Sequence, residues 1–414
     1  MLNIIKKIAV LLVIMLIYCL CVWKSFRMPE PVDASTFKIE NIASISCADT
    51  VTTDLLFLQQ ILKDKNIVLL GEDIHDNESA FAAKTRIIKY LHQKMGYSVL
   101  LFESPRFESE WHQNELDSNY FQKTLWEFWA NSPSCKTLLD YIQQSQQSSK
   151  PIKTRGFDLQ FLGSNNIKQY IELTDTYLQK KGSSLSHYPV TKKMIQNINS
   201  YRYWVFLQDD DFDSIQNEIS SLVEMCHKPP FNNQDTVFAN YFANFMNYAR
   251  FHKMQWGSNE RFQFRDSVMA SYFSDMYTSI YAGEKVVVWL ANLHALHDDT
   301  QYVENAKMNH FKTFGERLKE GYKDKVYTIC FTSYCNVNKN NRVINKATPA
   351  TFEYQMHQLN YRYAFVDFHN DTVNSDIPFR MRANQNLILN ANWKKMCDGI
   401  FYIDTVMQNS HEYN

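Results

Sequence analysis

Seven short apolar runs, separated by longer helical patterns, most constrain what this 414-residue chain can fold into. They are Ile67–Leu70, Ser98–Phe102, Ile152–Phe157, Val286–Leu290, Val326–Phe331, Tyr363–Phe368 and Gly399–Val406. Their apolar character is continuous rather than alternating, which fits strands covered on both faces. Strands of that kind between helices imply an α/β fold, with a mixed or mainly parallel sheet flanked by helices. After the first run, Asn77 to Met95 places Ala80, Ala83, Ile87, Ile88, Leu91 and Met95 at helical spacing. Asp76 or Asn77 can cap the start of that helix and Gly96 can stop it. From about 165 to 270 the pattern is helix-rich and aromatic, which predicts a helical lobe inserted between early and late strands. Within it, Tyr201, Tyr203 and Trp204 read as packing between helices, with stacking on sugar rings as the alternative. Trp289 and Phe102, inside apolar runs, read as core.

The N-terminus sets Lys6 and Lys7 before an uncharged apolar run from Ile8 to Trp23. No small-residue cleavage site follows, so residues 1–27 read as an uncleaved membrane anchor, with a cleaved signal segment as the alternative. Residues 28–50 read as a tether, and 51–410 as the main domain. Such a chain is expected at the cell membrane as a single-pass protein with its main domain outside the cytoplasm.

Lys plus Arg (43) nearly balances Asp plus Glu (44), and no basic motif is interleaved with aromatics. Nucleic acid is therefore not an expected partner. Only 10 glycines occur, and none builds a phosphate-cradling GxGxxG or GxxxxGK[ST] loop. The cysteines beyond the anchor form no CxxC pair, so neither a zinc ribbon nor a thioredoxin motif is present. They read either as buried small hydrophobes or, in an exported domain, as disulfide partners. Composition says nothing of the oligomeric state.

Reactive residues gather after the runs. Glu72 and His75 follow the first, Glu103 ends the second and Asp158 ends "KTRGFD". His294 follows "VVVWLAN". In open α/β sheets, ligands bind beyond the carboxyl ends of the strands. A histidine with carboxylates close by makes a general base that activates water. The same set, Glu72, His75, Glu103 and His294, also suits a divalent metal. Asp76 and Glu78 read as support for the first turn of the next helix, and His297–Asp299 resembles a metal-ligand cluster but reads as easily as a solvated loop.

The stretch "LLGEDIHDNESAFAAKTRIIKYLHQKMGYSVLLFES" resembles the opening motif of the erythromycin esterase-like family, in which a strand ends in GE-x-x-H. "RGFDLQ", "RDSVMA", "VVVWLANLH", "FGERLKEGYKDKVYTICF" and "CDGIFYIDT" resemble further blocks of that family, in the same order. The resemblance runs from about 55 to 405. It implies hydrolysis of an ester or related acyl bond by a water that His75 activates. Glu72 and Glu103 would orient the base or the water, and His294 would bind or polarise the scissile group. Lys84, Arg86, Asp158 and Asn292 are the expected substrate-binding residues, and no cofactor is required. The substrate would be a small-molecule or glycan ester. Three positions depart from the family pattern: Ala291 replaces a histidine, Glu78 lies one residue nearer His75, and Lys84 stands where an arginine is usual. The alternatives are a metal-dependent hydrolase and a non-catalytic member that binds a glycan or acylated ligand in the same cleft.

Overall fold

The computed structural model describes residues 32–162, 166–303, 310–370 and 377–408. The expected anchor lies outside these residues. Among the described residues, no helix is long and apolar enough to cross a membrane.

Eleven strands are present among the described residues: β1 (Ile39–Asn41), β2 (Ile67–Glu72), β3 (Tyr97–Pro105), β4 (Lys153–Asp158), β5 (Lys285–Ala291), β6 (Val326–Val337), β7 (Val343–Lys346), β8 (Tyr363–Asp367), β9 (Phe379–Asn384), β10 (Leu387–Ala391) and β11 (Gly399–Met407). Nine form one sheet in the order β1-β8-β11-β6-β2-β5-β3-β4, with β7 hydrogen-bonded to β6. The six strands from β11 to β4 run parallel, while β8, β1 and β7 pair antiparallel. β9 and β10 make a separate hairpin. The sheet is thus mixed and mainly parallel. All seven apolar runs became strands of it.

The two-residue strand period sorts the core onto two faces. Val68, Leu70, Leu100, Phe102, Val287 and Trp289 face α1 (Glu78–Met95) and α3 (Pro133–Ser145). Ile67, Leu69, Val99, Leu101, Val286 and Val288 face α7 (Asn259–Asp275) and α8 (Phe314–Tyr322). α2, Arg106–Trp111, follows β3 directly. α1 begins at the Asn77 cap, whose side chain accepts from the Ala80 amide, and ends at Gly96 in a left-handed conformation with φ 75°.

The helical region contains α4 (Ile167–Lys180), α5 (Asp209–Cys226) and α6 (Asp235–Lys253), with shorter turns between them. They share a core of their own in which Trp204, Phe238, Phe242 and Phe245 are fully buried. Trp289 and Phe102 are core, as their runs predict. Tyr201, by contrast, is 48% exposed.

The segment expected to be a tether is partly integrated. Phe37 packs edge-on against Phe352, and Ile39–Asn41 adds an edge strand to β8. Phe37 and Ile39 pack into the core on one side of the sheet, and Ile42 into the core on the other. The six cysteines among the described residues are free.

Candidate active site

The parallel strands place Glu72, Glu103, Asp158 and Ala291 at one edge of the sheet, with Glu72 paired to Ala291 across β2 and β5. Glycine permits the close approach this edge needs. A Cβ at Gly71 would run into the Asn292 side chain, and one at Gly156 into the backbone oxygens of Ser104 and Pro105.

Glu72 is fully buried and accepts from three directions. Lys84 Nζ, reaching back from α1, donates to Oε2. Trp129 Nε1 donates to Oε1 at 3.1 Å, and His75 Nδ1 lies 3.2 Å from that same oxygen. The Glu72 carboxylate therefore favours the His75 tautomer with hydrogen on Nδ1, leaving Nε2 as the basic nitrogen. The imidazole stacks on Phe128 at 4.7 Å and meets Trp129 edge-on at 5.6 Å. Its side chain is 36% exposed. Desolvation by these aromatic walls is the main influence on its pKa, which falls below the ordinary value. Arg265 and His294 push the same way, and Glu103 opposes them.

The other half of the site is built around Arg265 on α7. Its Nη2 donates to Glu103 Oε1 at 2.8 Å and to Asp158 Oδ2 at 2.6 Å, and its Nε to Asp158 Oδ1 at 3.2 Å. Glu103 also accepts from the Ala291 amide at 2.9 Å. Burial alone would raise the Glu103 pKa, but His294, Arg265 and His75 hold it down at about 2. His294 is buried, with Nδ1 2.6 Å from Asp266 Oδ1. Its Nε2 lies 3.1 Å from Arg265 Nη1 and 3.3 Å from Glu103 Oε1. A neutral ring accepts from the first, and a protonated ring donates to the second. Burial works against the imidazolium, yet Asp266 and Glu103 outweigh it, so the His294 pKa is raised.

Between the two halves lies a cleft of about 410 Å³. Asp73, His75, Arg265, Ala291, His294 and Gln385 are among its lining residues. Asp73 was not singled out by the sequence. Its Oδ1 accepts from the Ile74 amide and Asn77 Nδ2, while its buried Oδ2 has no hydrogen-bond partner among the described residues. Burial raises its pKa to about 6.

The structure thus brings Glu72, His75, Glu103 and His294 together, with Asp158 behind Arg265. Lys84 lies beneath Glu72 and is fully buried, so it serves that carboxylate as a hydrogen-bond donor rather than meeting a ligand. Two further expected binding residues are engaged elsewhere. Arg86 points away from the cleft and ties down the N-terminal segment, through Asp54 and the carbonyls of Ser44 and Val51. Asn292 is buried and spent on backbone, donating to Phe331 O and Ala383 O. His297 is also no solvated loop residue. Its Nε2 lies 2.6 Å from Thr328 Oγ1 and 3.4 Å from Asp398.

Glu78 serves α3, accepting from Ser132 Oγ at 2.6 Å and the Ser134 amide at 2.8 Å. Arg265 and Asp266 were visible as an adjacent charged pair in "RDSVMA", the signal that would have placed them here. Among the described residues, no group of three or more His, Cys, Asp or Glu is arranged to hold a metal ion. The oxygens of Glu72 and Glu103 already face Lys84 and Arg265, charges that a metal would have to replace.

A family model described as erythromycin esterase matches residues 78–406. It includes Glu103, Asp158, Arg265, Asp266 and His294, and begins just after Glu72 and His75. A relative from Bacillus subtilis (strain 168), "Putative hydrolase YbfO", is 25% identical over 373 residues, which cover 83% of this chain and 80% of that protein. Among solved structures, a Bacillus cereus protein superimposes with a TM-score of 0.70 at 17% identity, over 90% of this chain and 96% of its own. A protein described as a succinoglycan biosynthesis protein gives 0.69 at 15% identity, over 91% and 96%. A mutant of the erythromycin esterase EreC in its open conformation gives 0.64 at 13% identity, over 91% and 99%.

Proposed function

The chain belongs to the erythromycin esterase family, and on that premise we propose that it hydrolyses an ester or related acyl bond through a water activated by His75. One observation carries the reading: two histidines, each held at Nδ1 by a carboxylate, face a single cleft. Their surroundings displace their pKa values in opposite directions, and such a split separates base from acid.

In this mechanism the substrate carbonyl sits between His75 and Arg265. His75 Nε2 takes a proton from water as its oxygen bonds to the acyl carbon. The Nδ1 hydrogen bond to Glu72 stabilises the resulting imidazolium. Negative charge on the carbonyl oxygen is met by Arg265 and by protonated His294, which Asp266 and Glu103 support. The carbon–oxygen bond to the leaving group then breaks, and His75 returns its proton to the departing alkoxide. An acid and an alcohol leave, and both histidines regain their starting states. Residues 1–27 would tether this domain to the membrane from the extracytoplasmic side. Removal of those residues should release the protein from the membrane fraction.

The test is an assay of the full chain in detergent, beside His75→Ala, on activated acyl esters and macrolides with and without a chelator. Turnover that the chelator spares and the substitution removes is the expected result. No turnover from a folded wild-type protein would favour a binding role for the cleft, and turnover that a chelator abolishes would favour a metal-dependent one.

A further inference from the structure

A second groove, of about 440 Å³, is lined by residues of the helical region together with Trp126, Gln160, Phe161 and Leu162. Its size is that of a small-molecule site. Two of its lining residues are bonded directly to the active-site framework. Gln160 Nε2 donates to Asp158 Oδ2 at 3.0 Å, and Trp126 Nε1 donates to Glu103 O at 2.9 Å. A ligand lying in the groove therefore touches one side chain bonded to the Asp158 carboxylate and another bonded to the backbone of Glu103.

The lining has two chemistries. Aromatic faces come from Trp126, Phe161, Tyr201, Tyr248 and Trp256. Trp256 is 71% exposed and Tyr201 48% exposed, and their rings stand perpendicular at 6.3 Å. Large exposed aromatics beside a groove are unusual unless something covers them. Trp256 is moreover fixed from one side, because the buried Arg261 guanidinium lies 4.8 Å from its ring and 3.9 Å from that of Phe251. That clamp lowers the cost of ordering the ring when a ligand stacks on it.

The polar part of the lining is neutral. Gln160 and Asn199 offer amide groups, and His252 Nε2 is buried in the wall with no hydrogen-bond partner among the described residues. Burial, with Arg261 beside it, keeps the His252 imidazole uncharged, its pKa lowered to about 3. Among the described residues, the lining contains no carboxylate, ammonium or guanidinium.

Aromatic faces and neutral hydrogen-bonding groups together match a neutral sugar ring. Its C–H face carries partial positive charge toward the negative π face, and its hydroxyls meet amides and imidazole at the rim. An anionic or cationic ligand would find no charged side chain among the described lining residues. We propose that this groove is a glycosyl subsite, so that the ester cleaved next door is an O-acyl group carried on a neutral carbohydrate. The substrate class rests on the hydrolase reading above; the subsite itself does not.

The experiment uses the full chain in detergent with two readouts. Isothermal titration measures binding of unesterified tetrasaccharides of glucose, mannose and xylose. Kinetics compare the O-acetylated tetrasaccharides with 4-nitrophenyl acetate. At least one tetrasaccharide is expected to bind, and Trp256→Ala and Tyr201→Ala should each weaken it about tenfold. The preference for the corresponding sugar acetate over the small ester, taken as a ratio of kcat/KM, should fall by a similar factor. Phe206→Ala, at an exposed aromatic outside the groove, should leave the ratio where it was. Absence of binding by all three sugars, or binding indifferent to both groove substitutions, overturns the subsite even if small esters are hydrolysed. Binding that responds to those substitutions in a protein that cleaves no ester keeps the subsite and removes the hydrolase.

Discussion

The two histidines of the cleft are built alike and situated differently. Each presents Nδ1 to a carboxylate, Glu72 at 3.2 Å and Asp266 at 2.6 Å. His75 keeps 36% of its side chain exposed against aromatic walls, while His294 keeps 3% and has Arg265, Asp266 and Glu103 around it. Desolvation, with the charges of His294 and Arg265, outweighs the nearby carboxylates at the first ring, so it stays neutral and basic. Two carboxylates compensate the second, so it holds its proton. A single residue type is thus divided into base and electrophile by what packs against it.

The largest effect should follow removal of the base. His75→Ala is expected to lower kcat by about 10²–10⁴-fold, with little change in thermal stability, since the ring is partly exposed. The wild-type kcat/KM should be bell-shaped in pH. It rises as His75 loses its proton below the ordinary 6.5 and falls as His294 loses its own above that value. A profile flat between pH 5 and 9, or full activity in His75→Ala, would contradict the division of roles.

The two halves also contrast in their carboxylates. Glu103 has its pKa lowered to about 2 from 4.5, so it contributes stability that is present above pH 4.5 and lost as pH falls toward 2. Asp73 has its pKa raised to about 6 from 3.8, so the folded state holds its proton more tightly and loses stability as pH rises through 6. Each is worth about 3 kcal/mol. Asp73→Asn should therefore stabilise the protein at pH 8 by a comparable amount and leave it unchanged at pH 4, read from urea midpoints. Equal effects at both pH values would show that the Asp73 carboxyl is not shifted upward in the folded protein.

A smaller loss should follow from loosening His294 without removing it. Asp266→Asn keeps an acceptor for the Phe314 amide but withdraws the charge behind the imidazolium. A fall in kcat/KM of about 10–100-fold is expected, with the alkaline limb moving to lower pH. An alkaline limb that stays in place would assign it to some other group.

The sequence made the sheet legible because parallel strands buried on both faces leave continuous apolar runs, and such runs marked all six parallel strands and the antiparallel β8. β1, β7, β9 and β10 were not, because edge strands and hairpins are short and half-polar. β7 is exposed at all four positions. Site residues on strand ends were legible for the same reason as the strands. Arg265 and Asp266 were harder, since on a long helix an Arg-Asp pair reads like a solvated face until the fold turns it inward. Arg86 and Asn292 failed in the opposite sense. Helical spacing does carry Arg86 near Lys84 in sequence, but two residues along a helix is about 200° around its axis, so the two side chains leave on opposite sides.

Glu72 ends β2 whereas Glu78 opens α1, and that difference yields the smallest effect. Both acids belong to the stretch around His75, yet Glu78 accepts from the Ser134 amide and Ser132 Oγ at the start of α3. It therefore acts as a second cap on a helix that Ser132 already caps. Glu78→Gln preserves the shape and removes the charge beside that helix N-terminus. The expected cost is about 1 kcal/mol of stability, with kcat/KM and its pH limbs unchanged. α3 packs against α1, which carries Lys84, so the alternative is a loss transmitted to Glu72 through that helix pair. A displaced acid limb in Glu78→Gln would reveal such transmission. An unchanged limb beside a lowered melting temperature would confine the chemistry of this stretch to Glu72 and His75.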